Sequence, residues 1–169
     1  MRIAIISDTH LNHDTTKLEV LLDRLGPVDF ILHAGDYTGE GVVKILQATA
    51  MFYGVWGNAD SSIIQDSLKE KEIITFGSYR LGIFHGHGTG KCTVDRAYAA
   101  FENENLDIIV FGHSHQPLIC TKNKVLMLNP GSPTNKRTQR WFTCIVLDLL
   151  STSIEAKIIF LDNIDTKST

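Results

Sequence analysis

Short clusters of residues that commonly bind metal ions stand at five places along this chain, each directly after an apolar run. The clusters are Asp8-Thr9-His10, Gly35-Asp36, Gly57-Asn58, His85-Gly86-His87 and Gly112-His113-Ser114-His115. The runs that precede them, at 2–7, 29–34, 51–56, 81–84 and 107–111, have the continuous hydrophobicity of buried strands. Because ligands of open α/β sheets bind beyond the carboxyl ends of the strands, the five clusters are predicted to converge on one site.

The spacing within the clusters supports a shared metal site. Asp8 and His10 are two residues apart, as are His113 and His115, so both members of each pair point to the same side of an extended segment. Each dipeptide alone is a weak signal, since Gly-Asp also forms ordinary turns. If the acidic and amide residues were only helix caps, the histidines at three of the strand ends would remain unexplained. Two other histidines are assigned differently: His33 to the core and His13 to a solvated loop.

The bulk composition limits the class of protein. With 169 residues, 43% hydrophobic and 21% charged, the chain is predicted to be one globular domain over 1–169. A net charge of −3 predicts no dedicated nucleic-acid groove, whereas a small anionic substrate remains compatible with a bound metal. Three cysteines without CxxC spacing indicate reduced thiols and a cytoplasmic protein. No apolar run approaches the roughly 18 residues of a membrane span, so no membrane association is expected.

The elements that must position the clusters can be predicted in outline. Strands at 1–7, 28–34 and 51–56 alternate with helical patterns near 15–25 and 39–49, which predicts a parallel βαβαβ unit. Further along the chain, a hairpin at 72–76 and 79–84, a helix near 93–105 and strands near 107–111, 117–121, 124–129, 142–148 and 154–161 are predicted. These patterns indicate an α/β fold of two packed sheets flanked by helices, with the second sheet mostly antiparallel.

The order of the motifs DTH, GD, GN, HGH and GHSH, followed by Asn129-Pro130-Gly131-Ser132, resembles the calcineurin-like metallophosphoesterases. It is most similar to their small YfcE-type phosphodiesterase branch, over residues 1 to about 161. The resemblance implies a four-layer α/β/β/α sandwich of two mixed β-sheets flanked by helices. It also implies a metal-dependent phosphodiesterase with a binuclear metal centre, in which a hydroxide that bridges the metals attacks the phosphodiester.

The resemblance implies seven metal ligands in this chain. Metal one would be held by Asp8, His10, Asp36 and His115, and metal two by Asp36, Asn58, His85 and His113. Asp36 would therefore bridge the two ions, and Asp36, Asn58 and His85 are the predicted catalytic residues. His85 rather than His87 is the expected ligand. Many members of the wider superfamily have a histidine directly after the metal-binding asparagine, whereas Ala59 stands there in this chain.

The chemistry of the ligands favours certain metals and substrates. Oxygen and imidazole ligands without thiolate suit Mn²⁺, Fe, Ni²⁺, Co²⁺ or Zn²⁺ better than Ca²⁺ or Mg²⁺ alone, and the family makes two Mn²⁺ ions the first choice. Two divalent ions, two carboxylates and a hydroxide leave a net charge of about +1 at such a centre. That charge matches the single negative charge of a small phosphodiester substrate.

Several alternatives are left open by the sequence. A phosphomonoesterase or nucleotidase would use the same ligands, and the fold also serves as a retromer subunit in which several ligand positions are altered. Because this chain retains every ligand position, the purely structural role is disfavoured. A homo-oligomer is compatible with the sequence. The segment 85–91 does not match a Walker A loop, and Lys136, Arg137 and Arg140 form either a phosphate-facing rim or an unrelated exposed turn.

Overall fold

The structure, a computed structural model, describes residues 1–162. The final part of the predicted domain, 163–169, lies outside the described residues. The strands are β1 (Arg2–Ile6), β2 (Phe30–His33), β3 (Met51–Gly54), β4 (Lys71–Phe76), β5 (Tyr79–Phe84), β6 (Ile108–Val110), β7 (Leu118–Lys122), β8 (Val125–Asn129), β9 (Phe142–Leu149) and β10 (Ile154–Leu161). The helices are α1 (Thr16–Leu25), α2 (Glu40–Thr49), α3 (Ser62–Ser67) and α4 (Thr93–Ala99).

Two five-stranded sheets pack against each other, in the orders β10-β9-β1-β2-β3 and β4-β5-β6-β8-β7. The alternation of side chains along β1 shows how the layers are built. Ile3 and Ile5 point into the core between the sheets, whereas Ala4 and Ile6 point to the core beneath α1 and α2. Both faces of β1 are therefore buried, which explains its uninterrupted apolar sequence. A third apolar cluster lies between α4 and the second sheet.

The predicted α/β fold with two mixed sheets and flanking helices is confirmed, but the prediction of a mostly antiparallel second sheet was wrong. Strand β6 pairs in parallel with both β5 and β8, and only the outer pairs β4–β5 and β7–β8 are antiparallel. The crossover through α4 explains the parallel pairing of β5 with β6, and the passage of the chain through the outer strand β7 explains that of β6 with β8. No helix among residues 1–162 has both the length and the apolar character to cross a membrane.

Two helices also differ from the prediction. Helix α4 ends at Ala99, shorter than the helix expected near 93–105, and helical turns rather than a continuous helix follow it. Helix α3 was not predicted, because it has six residues and only Ile64 buried. Its short length leaves no amphipathic pattern to detect. Helix α3 nevertheless lies next to the site in sequence, because it directly follows the loop that contains Asn58.

Candidate metal centre

The carboxyl ends of β1, β2, β3, β5 and β6 meet at one edge of the two sheets, and backbone hydrogen bonds connect the loops that follow them. The Asp8 N–H donates to the Gly35 carbonyl at 2.9 Å, and the His10 N–H donates to the Asp36 carbonyl at 3.0 Å. Between the sheets, the His113 N–H donates to Asp8 Oδ2 at 2.9 Å. These contacts bring the predicted ligands of both sheets together.

The backbone at this edge adopts a conformation that is rare outside glycine. Five of the seven predicted ligands have a positive φ, namely Asp8 (56°), His10 (46°), Asp36 (61°), His113 (67°) and His115 (57°). Left-handed backbone at a non-glycine residue costs about 1–2 kcal/mol and persists only where the surroundings enforce it. Such residues cluster at functional sites, and their concentration here marks this edge as the candidate site.

Two glycines permit the close approach of the loops. A Cβ atom at Gly57 would lie 2.2 Å from Asp36 Oδ1, and one at Gly112 would lie 1.9 Å from Ser7 Oγ and 2.6 Å from Asp8 Oδ2. The Asp36 and Asp8 carboxylates cannot move away from such a Cβ atom, because hydrogen bonds hold both of them in place. The Gly-Asn and Gly-His dipeptides of the motifs are thus packing requirements of the ligand loops.

The Asp36 carboxylate lies between histidines from different sheets. Its Oδ1 accepts a hydrogen bond from the Ala59 N–H at 2.8 Å. Its Oδ2 lies 3.5 Å from His10 Nε2 and 3.3 Å from His85 Nε2. Asp36 is 1% exposed, so this charge is removed from bulk water. One oxygen is therefore held by the backbone, and the other faces the imidazoles.

The tautomers of two histidines follow from their hydrogen bonds. His85 Nδ1 lies 2.6 Å from the Ala34 carbonyl, and His115 Nδ1 contacts the Asn135 carbonyl. Because a carbonyl only accepts, both Nδ1 atoms carry a hydrogen, and the neutral form of each ring would present a lone pair at Nε2. A backbone carbonyl bonded to one imidazole nitrogen commonly orients the other toward a metal ion.

The Nε2 atoms of His85 and His115 face the ligand atoms of other predicted metal-binding residues, and this arrangement shows whether the residues fit metal ions. His115 Nε2 lies 3.2 Å from Asp8 Oδ1, a buried atom that receives no hydrogen bond from residues 1–162. The same nitrogen lies 3.2 Å from His10 Nε2. Two lone pairs at this separation repel one another unless a proton or a metal cation lies between them. The residues therefore fit divalent metal ions, which take oxygen and imidazole ligands.

The same contacts shift the pKa values of the central groups. Burial, the largest effect on Asp36, raises the pKa of its carboxyl, but the hydrogen bond and charge of His85 outweigh burial and hold that pKa below its ordinary value. Burial lowers the pKa of His85, but the nearby carboxylates, and the hydrogen bond to Asp36 that its protonated form makes, outweigh burial and raise it. A proton and a metal ion therefore compete for the Nε2 lone pair of His85. Asp36 is therefore ionised at neutral pH and is available to a cation.

The ligand atoms form two overlapping groups. Those of Asp8, His10 and His115 lie within 4.8 Å of one another, and so do those of Asp8, Asp36 and His85. His113 Nδ1 lies 3.3 Å from His85 Nε2 and thereby adjoins the second group. Asn58 is exposed beside this group, next to Ala59. The structure thus brings six of the seven predicted ligands into direct proximity and places Asn58 at the adjoining loop.

The remaining histidines lie outside these two groups. Buried His33 accepts a hydrogen bond from the Gly35 N–H at Nδ1, and its Nε2 donates to Thr9 Oγ1 at 3.1 Å. Burial lowers its pKa to about 3, so it is a neutral core residue. His87 stacks on Trp56 with ring centroids 5.0 Å apart, and its Nε2 lies 3.6 Å from Glu70. His13 is exposed in its loop.

Asp60, which no sequence motif singled out, fixes the loops of the site. The buried Asp60 carboxylate accepts hydrogen bonds from the N–H groups of Asp36 at 2.9 Å, Thr38 at 2.9 Å and Gly57 at 2.7 Å. Burial raises the pKa of this carboxyl, and the three donors counteract that effect. Asp60 therefore positions Asp36 relative to the Asn58 loop. Its place two residues after Asn58 was the only signal in the sequence.

Replacing Asp60 by alanine is expected to weaken metal binding about 10- to 100-fold, the usual effect of losing a partner that orients a metal ligand. The reason is that three N–H groups lose their common acceptor, so the loops of Asp36 and Gly57 separate. Calorimetric titration of the metal-free protein with Mn²⁺ measures the effect. Asp66→Ala, at an exposed position of α3, is the control. Equal affinities of the two variants would refute a positioning role.

The segment 129–135 connects the two sets of ligand loops. Asn129 Nδ2 donates to the Gly112 carbonyl and to Ser114 Oγ, each at 3.0 Å. The Ser132 hydroxyl donates to the Asp8 carbonyl at 2.7 Å. These hydrogen bonds explain why the Asn-Pro-Gly-Ser sequence accompanies the metal-ligand motifs.

Comparison with known proteins agrees with this geometry. The family described as the calcineurin-like phosphoesterase superfamily domain matches residues 1–152. The chain belongs to this superfamily. A probable metallophosphoesterase of Methanocaldococcus jannaschii is 32% identical over 162 residues, covering 94% of this chain and 78% of that protein. A phosphodiesterase of the same organism is 27% identical over 143 residues, covering 78% of this chain and 83% of that protein.

Solved structures share the calcineurin-like fold. Vps29 of Chaetomium thermophilum aligns with a TM-score of 0.76 at 19% identity, covering 95% of this chain and 96% of that one. At such identity, the likeness concerns the fold alone. As a member of the calcineurin-like phosphoesterase superfamily, the chain is a hydrolase of the metallophosphoesterase type. Its site contains the candidate ligands for the divalent ions that this superfamily implies.

Proposed function

We propose that this protein is a binuclear metal-dependent phosphodiesterase. The main support is the convergence of possible metal ligands at the edge of the two sheets, where imidazole nitrogens lie 3.2–3.5 Å from carboxylate oxygens or from one another. A related protein named phosphodiesterase supports the choice of ester. Together, the ligand chemistry and the family favour a site that acts on a small phosphodiester.

The seven predicted residues would hold two divalent ions, with Mn²⁺ preferred and Asp36 shared between them. When bound, such ions supply a nucleophilic water at neutral pH and neutralise charge on the phosphate. The chain itself keeps the ligands in place. The Ala34 and Asn135 carbonyls orient His85 and His115, and Asp60 fixes the loop of Asp36. Little movement of these groups is therefore needed during turnover.

Ala59 determines which esters this site should cleave well. Its N–H is engaged by Asp36, and its methyl side chain can neither donate a proton nor bind an oxyanion. The leaving alcohol thus receives no proton from this position. Esters whose leaving group is itself acidic, such as aryl phosphodiesters, fit the proposed site best.

The direct test is a screen of the purified protein, loaded with each candidate metal, against an aryl phosphodiester and the matching aryl phosphomonoester. We expect Mn²⁺-dependent turnover with a higher kcat/KM for the diester. A higher kcat/KM for the monoester would support the phosphomonoesterase alternative instead. No turnover of either ester by fully metal-loaded protein would support a scaffold role. The fold that the chain shares with Vps29 is the observation that favours this alternative.

A second measurement concerns the dependence of the rate on the leaving group. Across diesters of graded leaving-group pKa, kcat/KM should fall steeply as the leaving group becomes more basic. Ala59→His should raise the rate on the poorest leaving groups, within the roughly 10²- to 10⁴-fold that general-acid catalysis contributes. A flat dependence in the unmodified protein would show that another residue protonates the leaving group. Metal content of the variant must be measured in parallel.

A further inference from the structure

Three basic side chains lie on the loop between β8 and β9, and two of them are occupied by packing. Lys136 Nζ donates to the Arg140 carbonyl at 3.0 Å and lies over the Phe142 ring. The Arg140 guanidinium lies 4.8 Å from the centroid of the Trp141 ring. Arg137 differs from both, because it is exposed and its Nη1 makes a long contact of 3.4 Å with the His113 carbonyl.

The position of Arg137 places its charge beside the loop that contains the predicted ligand His113. The His113 carbonyl that it contacts belongs to a predicted ligand of metal two. The loop of Arg137 is fixed to the site, since the Asn135 carbonyl accepts from His115. The guanidinium therefore lies at the rim of the centre.

The backbone at Arg137 has a conformation that is uncommon for arginine. The Gln139 N–H donates to the Lys136 carbonyl at 2.8 Å and closes a turn in which Arg137 is the first central residue. Its φ of 47° is a conformation in which turns mostly have glycine, asparagine or aspartate at this position. The chain thus places a long cationic side chain where glycine would be less strained.

Another arginine near the site shows the contrasting arrangement. Arg96 donates through Nε to the Gly86 carbonyl at 2.8 Å, through Nη1 to the Lys91 carbonyl and through Nη2 to Thr93 Oγ1 at 3.1 Å. All three of its nitrogens are used to hold the loop after β5. Arg137 retains the planar donor fork that binds phosphate oxygens in pairs.

We propose that Arg137 binds the phosphate group of the substrate, with its guanidinium donating to non-bridging oxygens at the rim of the metal centre. The inference rests on the proposed function only in that the substrate is a phosphate ester. It does not depend on whether that substrate is a monoester or a diester, because both contain the phosphate group. Arg137 would be a substrate-binding residue that adds positive charge to a centre of about +1.

The test is calorimetric binding of inorganic phosphate to Mn²⁺-loaded protein, comparing the unmodified chain with Arg137→Gly and Arg140→Ala. Arg137→Gly should bind phosphate about 10- to 100-fold more weakly, the usual effect of losing a hydrogen bond to a charged group. Its melting temperature should be equal or higher, because glycine accepts a positive φ. Arg140→Ala removes the same charge from the same loop and should change the affinity less than about twofold.

Unchanged phosphate affinity in Arg137→Gly would overturn the proposal. An equal loss in Arg140→Ala would also overturn it, since the effect would then be one of general charge. Loss of bound Mn²⁺ from Arg137→Gly would assign the residue to maintaining the ligand loops instead, against the proposal. Failure of the proposed function gives a separate result: the unmodified protein would hydrolyse neither ester, while phosphate affinity would still depend on Arg137.

Discussion

Asp36→Asn is expected to reduce kcat/KM by about 10³-fold or more and to lower metal content at both positions. The reason is that Asp36 Oδ2 faces His10 and His85 from different sheets, so one carboxylate serves both groups of ligands. Loss of several kcal/mol of transition-state stabilisation, at about 1.4 kcal/mol per tenfold, gives this magnitude. Elemental analysis and steady-state kinetics measure the two effects.

Asparagine is the informative replacement because it separates charge from shape. It tolerates the left-handed backbone at this position, where φ is 61°, and its amide oxygen can still accept from the Ala59 N–H. The fold should therefore survive, which circular dichroism would verify. Asp66→Asn on α3 removes an exposed charge and should leave activity unchanged. If Asp36→Asn retained two tightly bound metals, the bridging assignment would be wrong.

Removal of metals by a chelator is expected to abolish activity, and Mn²⁺ should restore at least about tenfold more activity than Ca²⁺. Four imidazoles supply most of the predicted ligands: His10, His85, His113 and His115. Calcium prefers six to eight oxygen ligands and uses imidazole poorly, whereas Mn²⁺ accepts both. The measurement is kcat/KM after chelation, dialysis and addition of each ion.

A structural control accompanies this experiment. The chelated protein should keep its secondary structure, because the cores on both faces of each sheet do not depend on the ligands. Full recovery with Mn²⁺ then excludes irreversible unfolding as the cause of the loss. Equal recovery with Ca²⁺ would contradict the imidazole-rich assignment of the site.

The strands were predictable from the sequence because buried strands consist mostly of apolar residues. Strand β1 has both faces buried and reads as a continuous apolar run, and its observed extent lies within the predicted 1–7. The parallel pairing of β6 was not predicted, because the short strands further along the chain resembled hairpins. The predicted helix before β6 nevertheless implied a crossover connection. Helix α3 was missed because a helix of six residues has too few turns to show periodicity.

The convergence of the ligands was predictable, but the means of holding them was not. Motif order placed Asp8, Asp36 and His85 at strand ends, and the structure brings their ligand atoms within 4.8 Å. The role of Asp60 depends on N–H groups from two loops, which no spacing along the chain reveals. The positive φ angles of the ligands likewise arise from tertiary contacts rather than from local sequence preference.

The central position of β1 has a consequence for biosynthesis. Ile5 pairs with Leu32 on one side and with Ile145 on the other, so β1 cannot complete its pairing until β9, much further along the chain, has been synthesised. The Asp8 carbonyl similarly accepts its hydrogen bond from Ser132. Contacts between such distant residues form slowly, because a long loop must close before they are made. The candidate metal centre is therefore completed only after Ser132 and β9 have been synthesised, and a shorter nascent chain does not yet fix its ligands.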